Sequence, residues 1–253
     1  MERDWKRVFE DTFEGPPSTV ERRVWHEVFG DDYPTGLDPY SFITQPELER
    51  FAAEVGVGPG DTLIDLGCGR GGPGLWVAAA TGARLIGVDI AENALVAARA
   101  RASAMDIDAE FRMGRFEASG LPTGAADAVM SVDALLFTPD KFAAAGELRR
   151  IIRTDGRLVL TSWDYHSQPA GRPSQVADHR PLLEQAGFAI LAYDDTDLGL
   201  VRQRAVIRGL LESVDELAHE ADVPVEEMRQ ATNEMAATID AMIRRVLVVA
   251  TAV

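Results

Sequence analysis

The stretch "LIDLGCGRGGPG", residues 63–74, decides the fold. An apolar run broken by Asp65 gives way to a segment in which residues 67, 69, 71, 72 and 74 are all glycine. That order reads as a buried strand, a tight turn and the start of a helix. Glycine reaches positive φ without steric cost and lets a ligand approach bare backbone. Gly67, Gly69 and Gly72 spell G-x-G-x-x-G, and Asp89 ends the next apolar run about 20 residues on, where an acid can accept both hydroxyls of a ribose.

Outward from this loop the chain alternates strand and helix. "DTLIDLG", "RLIGVDI", "AEFRM", "DAVMSVDALL", "GRLVLTSW" and "AILAYDD" read as strands. "GPGLWVAAATG", "AENALVAARARASAM", "DKFAAAGELRRIIR" and "SQVADHRPLLEQAGF" read as the helices among them. Such alternation predicts an α/β fold with a doubly wound, mainly parallel sheet covered on both faces. Residues 1–57 read as a helical N-terminal cap. Within it, "STVERRVWHEVFG" opens with the capping pattern Ser18, Glu21, and "QPELERFAAEVG" carries Pro46 near its start and Gly56 past its end. Residues 58–199 form the core, and residues 200–243 read as a helical insertion with a turn near "DVP" and the role of a lid. Residues 244–253 supply a seventh strand able to pair antiparallel with "AILAYDD".

Composition narrows the function. At 253 residues and 46% hydrophobic, the chain can bury one sizeable core. A formal net charge of −16 disfavours nucleic acid and anionic membrane surfaces, which call for clustered Lys and Arg. No apolar run approaches a bilayer span, and "MERDWKRVFEDTFEG", charged throughout, is not expected to act as a signal peptide. The single cysteine, Cys68, fits a reducing cytoplasm. The expectation is a cytoplasmic protein acting on a small molecule, as monomer or homodimer.

Two ligands could own the glycine loop. A dinucleotide would place its pyrophosphate beside Asp65, where like charge repels it; a sulfonium or ammonium would be attracted. In "FEASGLP" an acid followed by a small residue can read an adenine edge, and no second mononucleotide half follows. These features favour S-adenosylmethionine. With that, "LIDLGCGRGG", "GVDI", "FEASGLP", "DAVMSVDALL" and "ELRRIIRTDGRLVLTSWD" resemble, in order, the motifs of class I S-adenosylmethionine-dependent methyltransferases, and most closely the small-molecule, natural-product branch. The resemblance covers roughly residues 58–195 and implies a Rossmann-like, seven-stranded fold.

The resemblance also implies roles. Asp65, Gly67, Cys68 and Gly69 would line the methionine end, Asp89 would hold the ribose, and Ile90 would pack on adenine. Glu117 and Ala118 would meet the adenine edge, with Glu standing where Asp is more usual. Asp133 would sit near the transferred methyl, and Tyr40 of "DPYSFIT" would shield the sulfonium. S-adenosylhomocysteine would be the product.

The general base is left open. Related enzymes often carry His after the fourth strand, but Leu136 and Phe137 stand there. The ends of strands face the ligand crevice in open α/β sheets, so Asp164 and His166 in "SWDYHSQ" join Asp133 as candidate catalytic residues. His179 reads as structural. With one Cys and scattered His, no metal site is expected, although a carboxylate-bound magnesium stays open. The acceptor is a small molecule with an O, N or C nucleophile. The alternatives are a protein that binds the cofactor without methyl transfer, such as a cyclase, and a dinucleotide-dependent oxidoreductase.

Overall fold

A computed structural model describes residues 4–37, 40–196 and 198–253. Three helices precede the sheet. α1 (Trp5–Thr12) is capped by the Asp4 carboxylate, and none of its residues is buried. α2 (Thr19–Phe29) starts at Ser18, whose hydroxyl accepts the Glu21 amide at 3.1 Å, and ends at Gly30. α3 (Gln45–Glu54) has a full capping box. Thr44 Oγ1 accepts the Glu47 amide at 3.2 Å, and the Glu47 carboxylate accepts the Thr44 amide at 2.9 Å.

The predicted alternation follows. β1 (Thr62–Leu66), α4 (Gly72–Thr81), β2 (Arg84–Asp89), α5 (Glu92–Met105), β3 (Ala109–Met113) and β4 (Ala126–Val132) come first. Then come α6 (Lys141–Ile151), β5 (Ile152–Tyr165), α7 (Arg180–Ala186) and β6 (Phe188–Asp195). After α8 (Gly199–Glu212), α9 (Val214–Glu220) and α10 (Val225–Ile239), β7 (Met242–Ala252) closes the sheet. The seven strands run in the order β3-β2-β1-β4-β5-β7-β6. β7 pairs antiparallel with both β5 and β6, as expected of the terminal strand for β6.

Period-two alternation sends side chains to two cores. Leu63, Val159 and Val249 join Phe51 of α3, Leu75 of α4 and Leu95 of α5 on one face. Ile64, Leu158 and Val248 join Leu148 of α6 and Leu183 of α7 on the other. Each fully buried leucine contributes about 1.5–3 kcal/mol relative to exposure. A third cluster joins Val20, Val24 and Phe29 of α2 to Val206, Ile207 and Leu210 of α8 and Ile239 of α10.

Boundaries differ from the sequence reading in three places. β4 stops at Val132, because Asp133 turns into the left-handed region at φ 50° and Leu135–Phe137 form a 3-10 turn. α7 begins at Arg180 rather than near Ser174 and is one of the short helices. β5 and β7 are longer than expected: β5 starts at Ile152, which pairs with Ala126 of β4, and β7 starts at Met242, which pairs with Tyr165 of β5. No helix among the described residues is long and apolar enough to cross a membrane.

Candidate active site

Strand order reverses between β1 and β4, and open α/β sheets place their ligand crevice at such a point. A cavity of about 460 Å³ lies there, lined by residues that follow β1, β2 and β4. Its floor is the glycine loop. Gly67 and Gly69 hold φ of 79° and 51°. A Cβ on Gly67 would lie 2.4 Å from the Ala134 Cβ, so only glycine lets the loop pass beneath the β4 turn. The Gly67 and Cys68 amides donate to the Val88 carbonyl at 2.8 and 3.1 Å, fastening the loop to β2.

Two carboxylates meet the cavity at the ends of β1 and β2. Asp89 accepts the Gly69 amide at 2.7 Å and the Ala91 amide at 2.9 Å. Burial raises its pKa, and the Ala91 and Gly69 amides offset part of that rise. Asp65 is 2% exposed, and its Oδ1 has no hydrogen-bond partner. Burial first, and the charge of Asp89 second, push its carboxyl up to about 7. A cationic group placed beside it would favour its ionised form.

Of the remaining sequence-derived positions, Tyr40, Cys68, Ile90, Glu117 and Asp133 line the cavity. Asp38 and Pro39 of "DPYSFIT" lie outside the described residues. Burial drives the Cys68 thiol pKa well up, which keeps it protonated and unreactive. Glu117 accepts the Thr138 hydroxyl and lies 3.6 Å from the Arg115 guanidinium. Ala118 does not line the cavity: it is exposed, and its amide donates to the Arg115 carbonyl at 3.2 Å.

Asp164 and His166 are likewise elsewhere. Asp164 is fully buried and points to the opposite face of the sheet. There it accepts Tyr193 Oη at 2.7 Å and Arg244 Nε at 3.0 Å, and lies 2.9 Å from His179 Nδ1. His179 Nε2 lies 3.2 Å from Ser162 Oγ. The order Ser–His–Asp is that of a hydrolytic triad, but all three are fully buried and none lines the cavity, so the group ties β5 to α7 and β7. His166 is exposed, with Nε2 at 2.7 Å from the Asp240 carbonyl.

Sequence reading missed the cover. Trp5, Phe9 and Phe13, spaced every fourth residue and so on one side of α1 and its end, all line the cavity. Phe9 meets Phe137 edge-on at 4.9 Å between centroids, and Phe13 meets Tyr40 at 5.7 Å. Glu10 fixes α1 in place. Its carboxylate accepts the Glu92 and Asn93 amides at 3.0 and 3.1 Å, capping α5, which has no side-chain cap of its own. The cavity lining includes no residue of α8, α9 or α10. No group of three or more His, Cys, Asp or Glu among the described residues is placed to hold a metal ion.

Residues 64–160 match the family model described as a methyltransferase domain. Its sheet and helices share the Rossmann-like fold of the solved methyltransferase structures to which it is similar. It is 30% identical over 148 residues to 27-O-demethylrifamycin SV methyltransferase of Amycolatopsis mediterranei, covering 58% of this chain and 53% of that one. The chain spans about half the length of the curated relatives it matches. Among solved structures it is similar to the cyclase SpnF, with TM-score 0.75 and 18% identity over 100% of this chain and 97% of that one. It is also similar to geranyl diphosphate methyltransferase in complex with GPP and sinefungin, with TM-score 0.65 and 19% identity over 99% and 100%.

Proposed function

We propose that the protein is an S-adenosylmethionine-dependent methyltransferase acting on an O, N or C nucleophile of a small molecule, of the kind modified in natural-product pathways. The observation that carries this reading is Asp65, a buried carboxyl with an unpartnered oxygen at the glycine loop, close enough to Asp89 to feel its charge. That pair suits a ligand with a cationic amino-acid end and a ribose. It does not suit a pyrophosphate. Likeness to a rifamycin methyltransferase supports the natural-product branch.

When bound, S-adenosylmethionine supplies an electrophilic methyl group on a sulfonium. The chain supplies binding and orientation. Asp65 would pair with the ammonium, Asp89 would accept the ribose hydroxyls, and Glu117 would meet the adenine. Tyr40, Phe9 and Phe13 would exclude water and face the cationic sulfur with aromatic rings. Holding both reactants in line accounts for much of such a rate enhancement. No histidine lines the cavity among the described residues, and both Asp133 oxygens accept hydrogen bonds. The site therefore suits an acceptor that needs little help in losing a proton, such as a neutral amine or an already acidic hydroxyl.

The same lack of a histidine, with the likeness to SpnF, favours a second reading in which the fold binds the cofactor and transfers nothing. The experiments are thermal denaturation with S-adenosylmethionine or a nicotinamide dinucleotide, then assay for S-adenosylhomocysteine with candidate acceptors. A rise in Tm with S-adenosylmethionine alone supports the cofactor. Release of S-adenosylhomocysteine dependent on an acceptor separates transfer from binding.

A further inference from the structure

Arg245 reaches two carboxylates that belong to different elements. Its Nε lies 2.9 and 3.2 Å from the two oxygens of Asp133, and its Nη1 lies 2.6 Å from Glu47. The side chain is 1% exposed. Each carboxylate also holds a backbone amide of the segment that leads into α3. Asp133 accepts the Phe42 amide at 2.9 Å, and Glu47 accepts the Thr44 amide at 2.9 Å. Both amides therefore end on groups that Arg245 fixes. The intervening side chain, Ile43, is fully buried.

This segment, residues 40–44, is a strap along the cavity. Tyr40 and Ser41 line it. The Ser41 carbonyl accepts Trp25 Nε1 at 3.0 Å, and the Phe42 ring meets Trp163 edge-on at 5.7 Å. Asp133, at the other side of the strap, lines the cavity where β4 ends. Arg245 stands opposite Trp163 in the β5–β7 ladder, three residues into the strand that follows α10. Its neighbour Arg244 turns to the other face and holds Asp164. Gly199, at the start of α8, makes room for it: a Cβ there would lie 2.7 Å from the Arg245 Cβ.

We propose that Arg245 is a positioning residue for the cofactor end of the site. It clamps Asp133 and the strap 40–44 in one arrangement, and so ties the end of the helical insertion to the cavity. Only a guanidinium has the forked donors to hold both acids; a lysine ammonium keeps the charge and reaches one of them. The ligand half of this assignment rests on the methyltransferase reading. The clamp itself rests on the contacts.

The test compares Arg245→Lys and Arg245→Met with the wild type. Amide hydrogen exchange reads the strap, and calorimetric titration with S-adenosylhomocysteine reads the cavity. In both variants the amides of residues 42 and 44 are expected to exchange about tenfold faster while β1 and β4 keep their protection. Affinity for S-adenosylhomocysteine is expected to fall about tenfold, less in Arg245→Lys than in Arg245→Met. Asp133→Asn should weaken binding too, and the double variant should lose less than the sum of the two singles. A folded variant with lowered Tm, unchanged exchange at 42 and 44 and unchanged affinity would make Arg245 merely structural and overturn the proposal. Arg245→Lys, which keeps the buried positive charge, carries the test if Arg245→Met does not fold. Should the wild type bind no S-adenosylhomocysteine, the cofactor reading fails, and exchange at the strap still decides the clamp.

Discussion

The charge of Asp89 reinforces burial in holding the Asp65 carboxyl at about 7, although the two acids end neighbouring strands on one cavity wall. Asp89 is supplied with two backbone amides, whereas an oxygen of Asp65 is left without a partner. On the proposed function, the asymmetry makes Asp65 the partner for the ligand's cationic end.

It also sets a pH dependence. Between the ordinary value of 3.8 and the folded value of about 7, the native protein holds a proton that the unfolded chain has lost. Without ligand, this group makes the protein less stable as pH rises through that window. A cationic ligand needs the ionised form, so binding of S-adenosylhomocysteine should strengthen as pH rises toward about 7 and then level off. Titration in buffers of different ionisation enthalpy should show proton release below that pH. Asp65→Asn should bind more weakly and lose the slope.

Gly67→Ala should damage the loop more than Gly69→Ala. A Cβ on Gly67 would lie 2.4 Å from Ala134, whereas one on Gly69 would meet only Phe13, at 3.6 Å. Overpacking of this kind costs about 1–3 kcal/mol. Urea denaturation of the two variants measures the difference, and equal stability would mean that the β4 turn can move away.

Glu10→Ala should loosen the cover and leave the core intact. No residue of α1 is buried, and Glu10 contributes the cap of α5. Losing a cap costs about 1 kcal/mol, which corresponds to about a fivefold faster release of S-adenosylhomocysteine in stopped-flow displacement. A fall in Tm with no change in release rate would show that α1 does not gate the cavity.

Asp164→Ala separates structure from chemistry at the buried Ser162–His179–Asp164 group. The change leaves Arg244, Tyr193 and His179 without their shared acceptor. Removing one partner of a buried charge pair costs about 3–5 kcal/mol. Thermal unfolding should shift strongly, while the folded fraction binds S-adenosylhomocysteine as the wild type does. Lost binding in a variant that stays folded would return Asp164 to the site.

The sheet and the glycine loop were legible because local pattern dictates them. The buried runs, the glycines and the acids at strand ends each follow from short-range geometry. The antiparallel final strand followed from its β-rich composition after a helical stretch. What could not be read depends on contacts far apart in sequence. Strand-end position alone put Asp164 in the crevice, but period-two alternation turned its side chain to the other face. Arg245 was invisible as a site residue, since its two acids lie 198 and 112 residues away. The Trp5, Phe9, Phe13 spacing was visible as a helix face, but nothing local says which surface that face covers. Residues 200–243, read as a lid, pack on α2 through Val206, Ile207 and Leu210, and the cavity is lined by Trp5, Phe9 and Phe13 and by no residue of α8, α9 or α10.

The central claim is that the glycine-loop cavity binds S-adenosylmethionine through Asp65 and Asp89. Calorimetric titration of wild type and Asp89→Ala with S-adenosylhomocysteine tests it most directly. The account predicts one site per chain in the wild type and a loss of about 1.5–3 kcal/mol in the variant, the worth of hydrogen bonds to a charged group. Equal affinity in the two proteins, or binding of a nicotinamide dinucleotide in place of S-adenosylhomocysteine, would contradict it.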